Sequence, residues 1–287
     1  MSNIIFKLVT PNAWILLMHK NRSWISRWEK EAGSMNEVSP VAYWDNRAED
    51  YDNFIRTSRF SYGKNIVRLL RKEQVLSGQD LVLEIAGGVG ALTLPLCRET
   101  REVVCLEPAP NMADYLKKNL LNNQIENCRV LQLTGQEYMH QNLHDAFGLG
   151  IICHASWQFP DLEELLGFFD LSCRSWACIA DTAKAPESPH TEFRKSLGIE
   201  HVGFDRVLVL YNALCALGRN PNISFFNYTM LRSAESAKSM LKQVAEKYRQ
   251  IAKADMEKIN SHVAAYSTDG TYAEPATMGV IWWKTKG

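Results

Sequence analysis

Asp80–Leu96, DLVLEIAGGVGALTLPL, decides how this chain is read. An apolar run from Leu81 to Ile85, broken only by Glu84, meets a cluster of small residues: Ala86, Gly87, Gly88 and Gly90. Apolar periodicity then resumes as it would in a helix. Residues this small let a backbone take positive φ and let another molecule approach it closely. A strand that ends in such a turn and restarts as a helix opens room for a ligand at the carboxyl edge of a parallel sheet.

The flanking sequence repeats the alternation. GALTLPLCRET reads as a helix, with Pro95 near its first turn, where a missing N–H costs little. REVVCLE, CRVLQLT, GLGIICHA and WACIADT read as further strands. APNMADYLKKNLLNNQ and LEELLGFFDLSCR read as the helices between them. This rhythm predicts an α/β fold with a doubly wound, mostly parallel seven-stranded sheet, closed by NISFFNYTM and TMGVIWWK. Ser233 to about Lys253 reads as one helix with Ser233 as its N-cap. The rhythm breaks after the fifth strand, where residues 184–220, helical around 203–217, form a predicted cap over the carboxyl ends of the strands.

Towards the N-terminus, residues 12–32 place Trp14, Leu17, Met18, Trp24, Ile25 and Trp28 on one stripe of an amphipathic helix. Three roles are open to it: packing on the body or on a second copy of the chain in a homodimer, capping a pocket, or lying on a membrane surface. Gly33-Ser34 reads as its end, and Met35 just beyond offers a second candidate start. Residues 1–38 are therefore expected to be an extension and 39–287 the main domain. Ser39-Pro40 opens a second helix that puts Trp44, Ala48 and Tyr51 on one face. GKNIVRLLRKEQVL makes a third, ended by Ser77-Gly78.

The 287 residues carry 32 Lys+Arg and 32 Asp+Glu, so no basic excess points to a nucleic-acid partner. RTSRF, a local basic patch, reads as a solvated face. Seven cysteines without a CxxC pair suit a reducing cytoplasm, no metal ligand set is expected, and no apolar run approaches a membrane span. Pro11 and Asn12 interrupt the first apolar patches, and no cleavage site of the A-x-A kind follows, so no signal peptide is expected.

The turn itself excludes some ligands. A Walker loop needs GK[ST], which is absent, and Gly88-Val89-Gly90-Ala91-Leu92-Thr93 lacks the third glycine of a dinucleotide fingerprint. Glu84 before the turn is an acid that dinucleotide binding does not require. Glu107, ending the next strand, could accept both hydroxyls of a ribose.

VLEIAGGVGALTL, VVCLEPAPNM, LTGQEY and a fourth strand running into HASWQFPDLEELL, in that order, resemble the class I S-adenosylmethionine-dependent methyltransferase family. The likeness covers residues 42–182 closely. Ala86 departs from it, since the family usually has a glycine there, although a methyl group is small enough to fit. The resemblance implies S-adenosylmethionine as cofactor and S-adenosylhomocysteine as product. It places Glu84 near the methionine amino group, with Ala86, Gly87, Gly88 and Gly90 flanking the methionine part and ribose. Glu107 takes the ribose hydroxyls, Pro108 and Met112 pack beside adenine, and Gln136 and Glu137 meet its edge. Tyr51 and Trp44 close over the sulfonium, which an aromatic face suits. The structural alternatives are a capping carboxylate for Glu137, core packing for Met112, and helix packing for Tyr51 and Trp44.

Methyl transfer needs a general base only when the acceptor loses a proton. His154, ending the fourth strand beside the donor, is the first candidate, and His201 in the cap the second. Tyr211 is a further pocket residue, and Cys153 reads as buried strand. HASW occupies the place of an [ND]PP[FY] motif, which disfavours adenine N6 or glutamine amide acceptors. Neither a Pro-Cys nucleophile motif nor a paired-glutamate loop occurs. The aromatic segments HASWQF, GFDRVLVLY and ISFFNYTM favour a closed pocket and a small organic acceptor. A protein or RNA acceptor, a non-catalytic S-adenosylmethionine-binding module and a nicotinamide oxidoreductase stand as the other readings.

Overall fold

The computed structural model describes residues 11–141, 144–183, 189–199 and 205–286, with side chains for all of these except 11–22, 189 and 190. Four helices come first: α1 (Pro11–Val38), α2 (Val41–Asp45), α3 (Ala48–Thr57) and α4 (Ser61–Lys72). The alternating part runs β1 (Leu81–Ile85), α5 (Thr93–Glu99), β2 (Glu102–Leu106), α6 (Pro110–Asn122), β3 (Cys128–Leu131), α7 (Gly135–Met139) and β4 (Phe147–Cys153). A 3-10 turn (Ser156–Gln158), α8 (Leu162–Ser172) and β5 (Cys173–Ala183) follow. The chain ends with α9 (Pro189–Ser196), α10 (Arg206–Ala216), β6 (Asn222–Ser233), α11 (Ala234–Glu246), α12 (Lys253–Ala265), β7 (Ser267–Thr268) and β8 (Thr271–Lys284).

The sheet order is β3-β2-β1-β4-β5-β8-β6, with β7 paired to β8. The first five strands are parallel, and β8 is antiparallel to both β5 and β6. This is the doubly wound, mostly parallel sheet the sequence predicts. The additional strand β7, unforeseen, is a two-residue hairpin partner of β8. The chain reverses direction along the sheet between β1 and β4, which puts the small-residue turn at the switch point.

Both faces of the sheet are covered, so its strands read as almost unbroken apolar runs. Val82, Val103, Leu149 and Ile151 pack with α3, α4, α5 and α6 on one face. Leu83, Val104, Ile152 and Ile179 pack with α1, α8 and α10 on the other. A smaller core joins α9, α11 and α12 around Tyr272.

Several helix boundaries differ from the sequence reading, each for a local reason. α1 runs through Gly33-Ser34 without a break. Trp28 and Ala32 are fully buried against α10 and the 3-10 turn. Burying such a side chain gains about 1.5–3 kcal/mol, against about 1 kcal/mol for one helical glycine. The expected single helix over Trp44–Tyr51 is two helices, because the chain turns at Asn46-Arg47. The turn lets Arg47 bond Asp50 at 2.7 Å and Tyr43 at 3.1 Å.

α4 stops at Lys72, ahead of Ser77-Gly78, where Gln74 turns left-handed at φ 58° and Val75 N–H caps the Leu70 carbonyl. The helix expected to reach Lys253 ends at Glu246, and α12 was not foreseen. Between them Arg249 grips Asp255 through two bonds of 2.8 Å, and Asp255 accepts from Ala252 N–H. No described helix is long and apolar enough to cross a membrane.

Candidate functional site

A half-open cavity of about 240 Å³ lies over the carboxyl ends of β1, β2 and β4. Its floor is the turn after β1. Ala86 and Gly88 are both left-handed, at φ 60° and 59°. For glycine this conformation is free, whereas an L-residue gives up about 1–2 kcal/mol. The question at Ala86 is thus backbone conformation rather than side-chain size. A side chain at Gly88 would fill the cavity wall facing Tyr51. Gly87 and Gly90 do not line the cavity; a Cβ on them would collide with Cys105 and with Leu94 and Leu116.

Glu107 follows β2 on the cavity wall and is 5% exposed. Its carboxylate accepts from Gly88 N–H at 2.8 Å and from Ala109 N–H at 2.9 Å. Burial pushes its carboxyl up to about 7, against the opposing pull of those two amides. Glu84 sits beneath the turn, away from the cavity wall. Burial raises it to about 7 as well, while bonds to Thr93 and Cys105 work to lower it and Glu107 adds to the rise. Its Oε2 is buried without a hydrogen-bond partner among the described residues.

Pro108 and the almost fully buried Met112 line the cavity beside Glu107. Gln136 joins them, its amide donating to the Gln158 carbonyl at 2.8 Å. Glu137 does not. It is exposed, and its carboxylate accepts from Thr134 N–H and Oγ1, both at 2.8 Å, in a capping box that opens α7. Thr134 lines the cavity in its place. On the opposite side Trp44 stacks on Trp157 at 6.3 Å and meets Tyr51 edge-on at 6.1 Å. Tyr51 Oη lies 3.3 Å from Tyr62 Oη.

His154 follows β4 on the cavity wall, left-handed at φ 59°. Its N–H bonds the Ala180 carbonyl, and its own carbonyl accepts from Trp157 Nε1. Its Nδ1 lies 3.2 Å from Asp181 Oδ1. Cys153 also lines the cavity, while Tyr211 packs in the core beneath α1. His201 lies outside the described residues. Sequence reading missed Asp181 and Arg206, and the one signal was an acid inside the apolar run Trp176–Ala183.

The buried acids give the free protein a pH signature. Glu84, Glu107 and Glu274 have folded-state values near 7, above the ordinary 4.5, each through burial first. Their contribution to stability is fully present below pH 4.5 and lost as pH rises through 7. Lys247 is lowered to about 7 by burial and by Arg47, Arg194 and Arg206, so its contribution grows above pH 7. The thermal midpoint should fall between pH 4.5 and 7, and the Glu84→Gln, Glu107→Gln double variant should flatten that fall. Scanning calorimetry at half-unit steps checks this, and a midpoint rising across the window would refute it.

No family model matches the sequence. Ribosomal RNA small subunit methyltransferase A of Desulforapulum autotrophicum is 35% identical over 83 residues, 29% of this chain. A probable enzyme of the same name from Methanosphaera stadtmanae is 22% identical over 77 residues, 27% of this chain. The matched stretch spans 28% of the length of each relative. Among solved structures, the YcgJ protein of Bacillus subtilis is 16% identical with a TM-score of 0.50, covering 77% of this chain and 98% of that one. A candidate methyltransferase from Bacillus halodurans is 11% identical with a TM-score of 0.50, covering 77% and 99%. These similarities establish a shared Rossmann-like fold.

Proposed function

We propose that this chain, built on the Rossmann-like fold of the class I S-adenosylmethionine-dependent methyltransferases, is an enzyme that transfers a methyl group from S-adenosylmethionine to a small organic acceptor. The product is S-adenosylhomocysteine. The observation that carries the reading is Glu107: a buried carboxylate, pinned by two backbone amides, facing a left-handed turn of small residues across the cavity. A carboxylate held in this way can take two neighbouring ribose hydroxyls without reorganising.

The rest of the site fits the same donor. Pro108 and Met112 offer an apolar slot for adenine, and Gln136 offers an amide at its edge. Trp44 and Tyr51 bring aromatic faces for a sulfonium. Bound S-adenosylmethionine supplies a methyl carbon that is already activated. The chain's task is then to align the acceptor and keep water out. The stacked Trp44–Trp157 pair and the α2 segment above the cavity serve that end.

A small acceptor suits a cavity of this size and a chain of zero formal net charge. An RNA acceptor is the second reading, drawn from the names of the two sequence relatives. Free thiols at all seven cysteines suit a reducing cytoplasm.

Calorimetric titration with S-adenosylmethionine, S-adenosylhomocysteine and NAD tests the donor. Micromolar binding of the first two without the third is expected. Absence of both from a folded sample overturns the reading.

A further inference from the structure

We infer that Asp181 and Arg206 are positioning residues that fix His154 as a proton acceptor at the methyl-transfer position, so the acceptor is a protic one, methylated on an oxygen or nitrogen that gives up its proton. The inference rests on the donor reading above and names the acceptor class for the same cavity.

The geometry is a chain of three side chains from three elements. Asp181 lies in β5 and is 1% exposed. Its Oδ2 accepts from Arg206 Nε at 2.8 Å, and its Oδ1 accepts from Arg206 Nη2 at 2.9 Å. Oδ1 also accepts from Thr182 N–H at 2.7 Å and faces His154 Nδ1 at 3.2 Å. Arg206 is the first residue of α10, whose N-cap Asp205 accepts from Leu208 N–H. The start of α10 therefore delivers a guanidinium to the carboxylate that touches His154.

The chemistry follows from that order. Burial alone would raise Asp181, but the Arg206 guanidinium, helped by His154, overrides it and holds the carboxyl well below the usual range. An ionised carboxylate only accepts hydrogen bonds, so His154 must present Nδ1–H to it. That tautomer leaves the lone pair on Nε2, which has no hydrogen-bond partner among the described residues. His154 is on the cavity wall, with the Tyr62 ring edge-on at 5.3 Å. The same logic, an acid orienting an imidazole that takes a proton, operates in hydrolase triads.

An acceptor without a proton, such as a thioether, gives a base nothing to do. With a protic acceptor the balance closes. The acceptor's X–H bond breaks, its proton passing to His154 Nε2 and its electron pair forming the bond to the methyl carbon. The carbon–sulfur bond breaks with its pair kept by sulfur, which loses its positive charge. The imidazolium stands against Asp181 and, being 22% exposed, returns its proton to water.

Nitrogen NMR of histidine-labelled full-length protein bound to S-adenosylhomocysteine reads the arrangement directly. Neutral His154 in the wild type is expected to be the Nδ1–H tautomer. Asp181→Asn should lose that fixed tautomer. Arg206→Met should loosen the same tautomer, since the guanidinium that holds both Asp181 oxygens in place is gone. A wild-type Nε2–H tautomer, or both variants keeping the Nδ1–H tautomer as the wild type does, overturns the inference. If Arg206→Met does not fold, the nearly isosteric Asp181→Asn carries the test alone.

Calorimetry with S-adenosylhomocysteine on the same samples separates the two readings. Lost binding in the wild type defeats the donor, whereas intact binding with an unmoved imidazole defeats only the base. With any acceptor found by S-adenosylhomocysteine release, His154→Gln should lower kcat by about 10²–10⁴-fold at unchanged donor affinity. Unchanged kcat would overturn the inference.

Discussion

Glu107→Ala is expected to weaken S-adenosylmethionine binding on the order of 10- to 150-fold, the equivalent of about 1.5–3 kcal/mol for hydrogen bonds to a charged acceptor. Two effects add. The ribose loses its acceptor, and the amides of Gly88 and Ala109 lose the carboxylate that organises them, at 2.8 and 2.9 Å. Glu107→Gln separates the two, because a carboxamide still accepts through one oxygen and should lose less. Calorimetry with circular dichroism as a folding control checks both. Undiminished affinity in a folded Glu107→Ala protein would remove Glu107 from the donor site.

Asp50→Ala is expected to destabilise the fold by about 3–5 kcal/mol, because it removes the carboxylate between two buried guanidiniums, leaving Arg47 without its acid and Arg232 with Glu274 alone. Asp50 is 7% exposed and stands between Arg47, 2.7 Å away and 6% exposed, and Arg232, 3.5 Å away and 5% exposed. Arg232 also lies over the Phe54 ring at 4.7 Å. At roughly 2–4 °C per kcal/mol for chains near this size, the thermal midpoint should drop by about 10 °C. A drop under about 2 °C by scanning calorimetry would show that the two arginines find other partners. The pair matters to the site as well as to the fold. It ties α3, which bears Tyr51, to β6 at the sheet edge.

How much of this was legible in the sequence varies with the kind of signal. Strands buried on both faces read as apolar runs, so β1, β2, β4 and β5 could be placed from residues such as Val82, Val103, Ile151 and Ile179. The turn at Ala86–Gly90 was equally plain, since small residues in sequence mark a backbone position directly. Helix ends were less legible, because side-chain bonds across space set them. Nothing local marks that Arg249 reaches Asp255 to separate α11 from α12. Pairings between distant segments were invisible altogether. Asp181 and Arg206 are 25 residues apart and meet only because α10 packs back against β5. Glu137 shows the opposite failure: its place in the motif suggested a ligand, yet three residues of local sequence, beginning at Thr134, account for its carboxylate.

The anchoring of α1 sets an order of events for the growing chain. Trp28 Nε1 bonds the Phe159 carbonyl across 131 residues of sequence, and Asn36 bonds the Trp157 carbonyl across 121. The rest of the docking surface belongs to α10, which ends at Ala216. The first described helix to leave the ribosome is thus among the last to find its place. Contacts of such long loop length form late in folding, after the local ones have closed. Until Ala216 has been synthesised, Trp28 lacks the α10 part of its docking surface, and the wall formed by Trp157 and Gln158 waits with it.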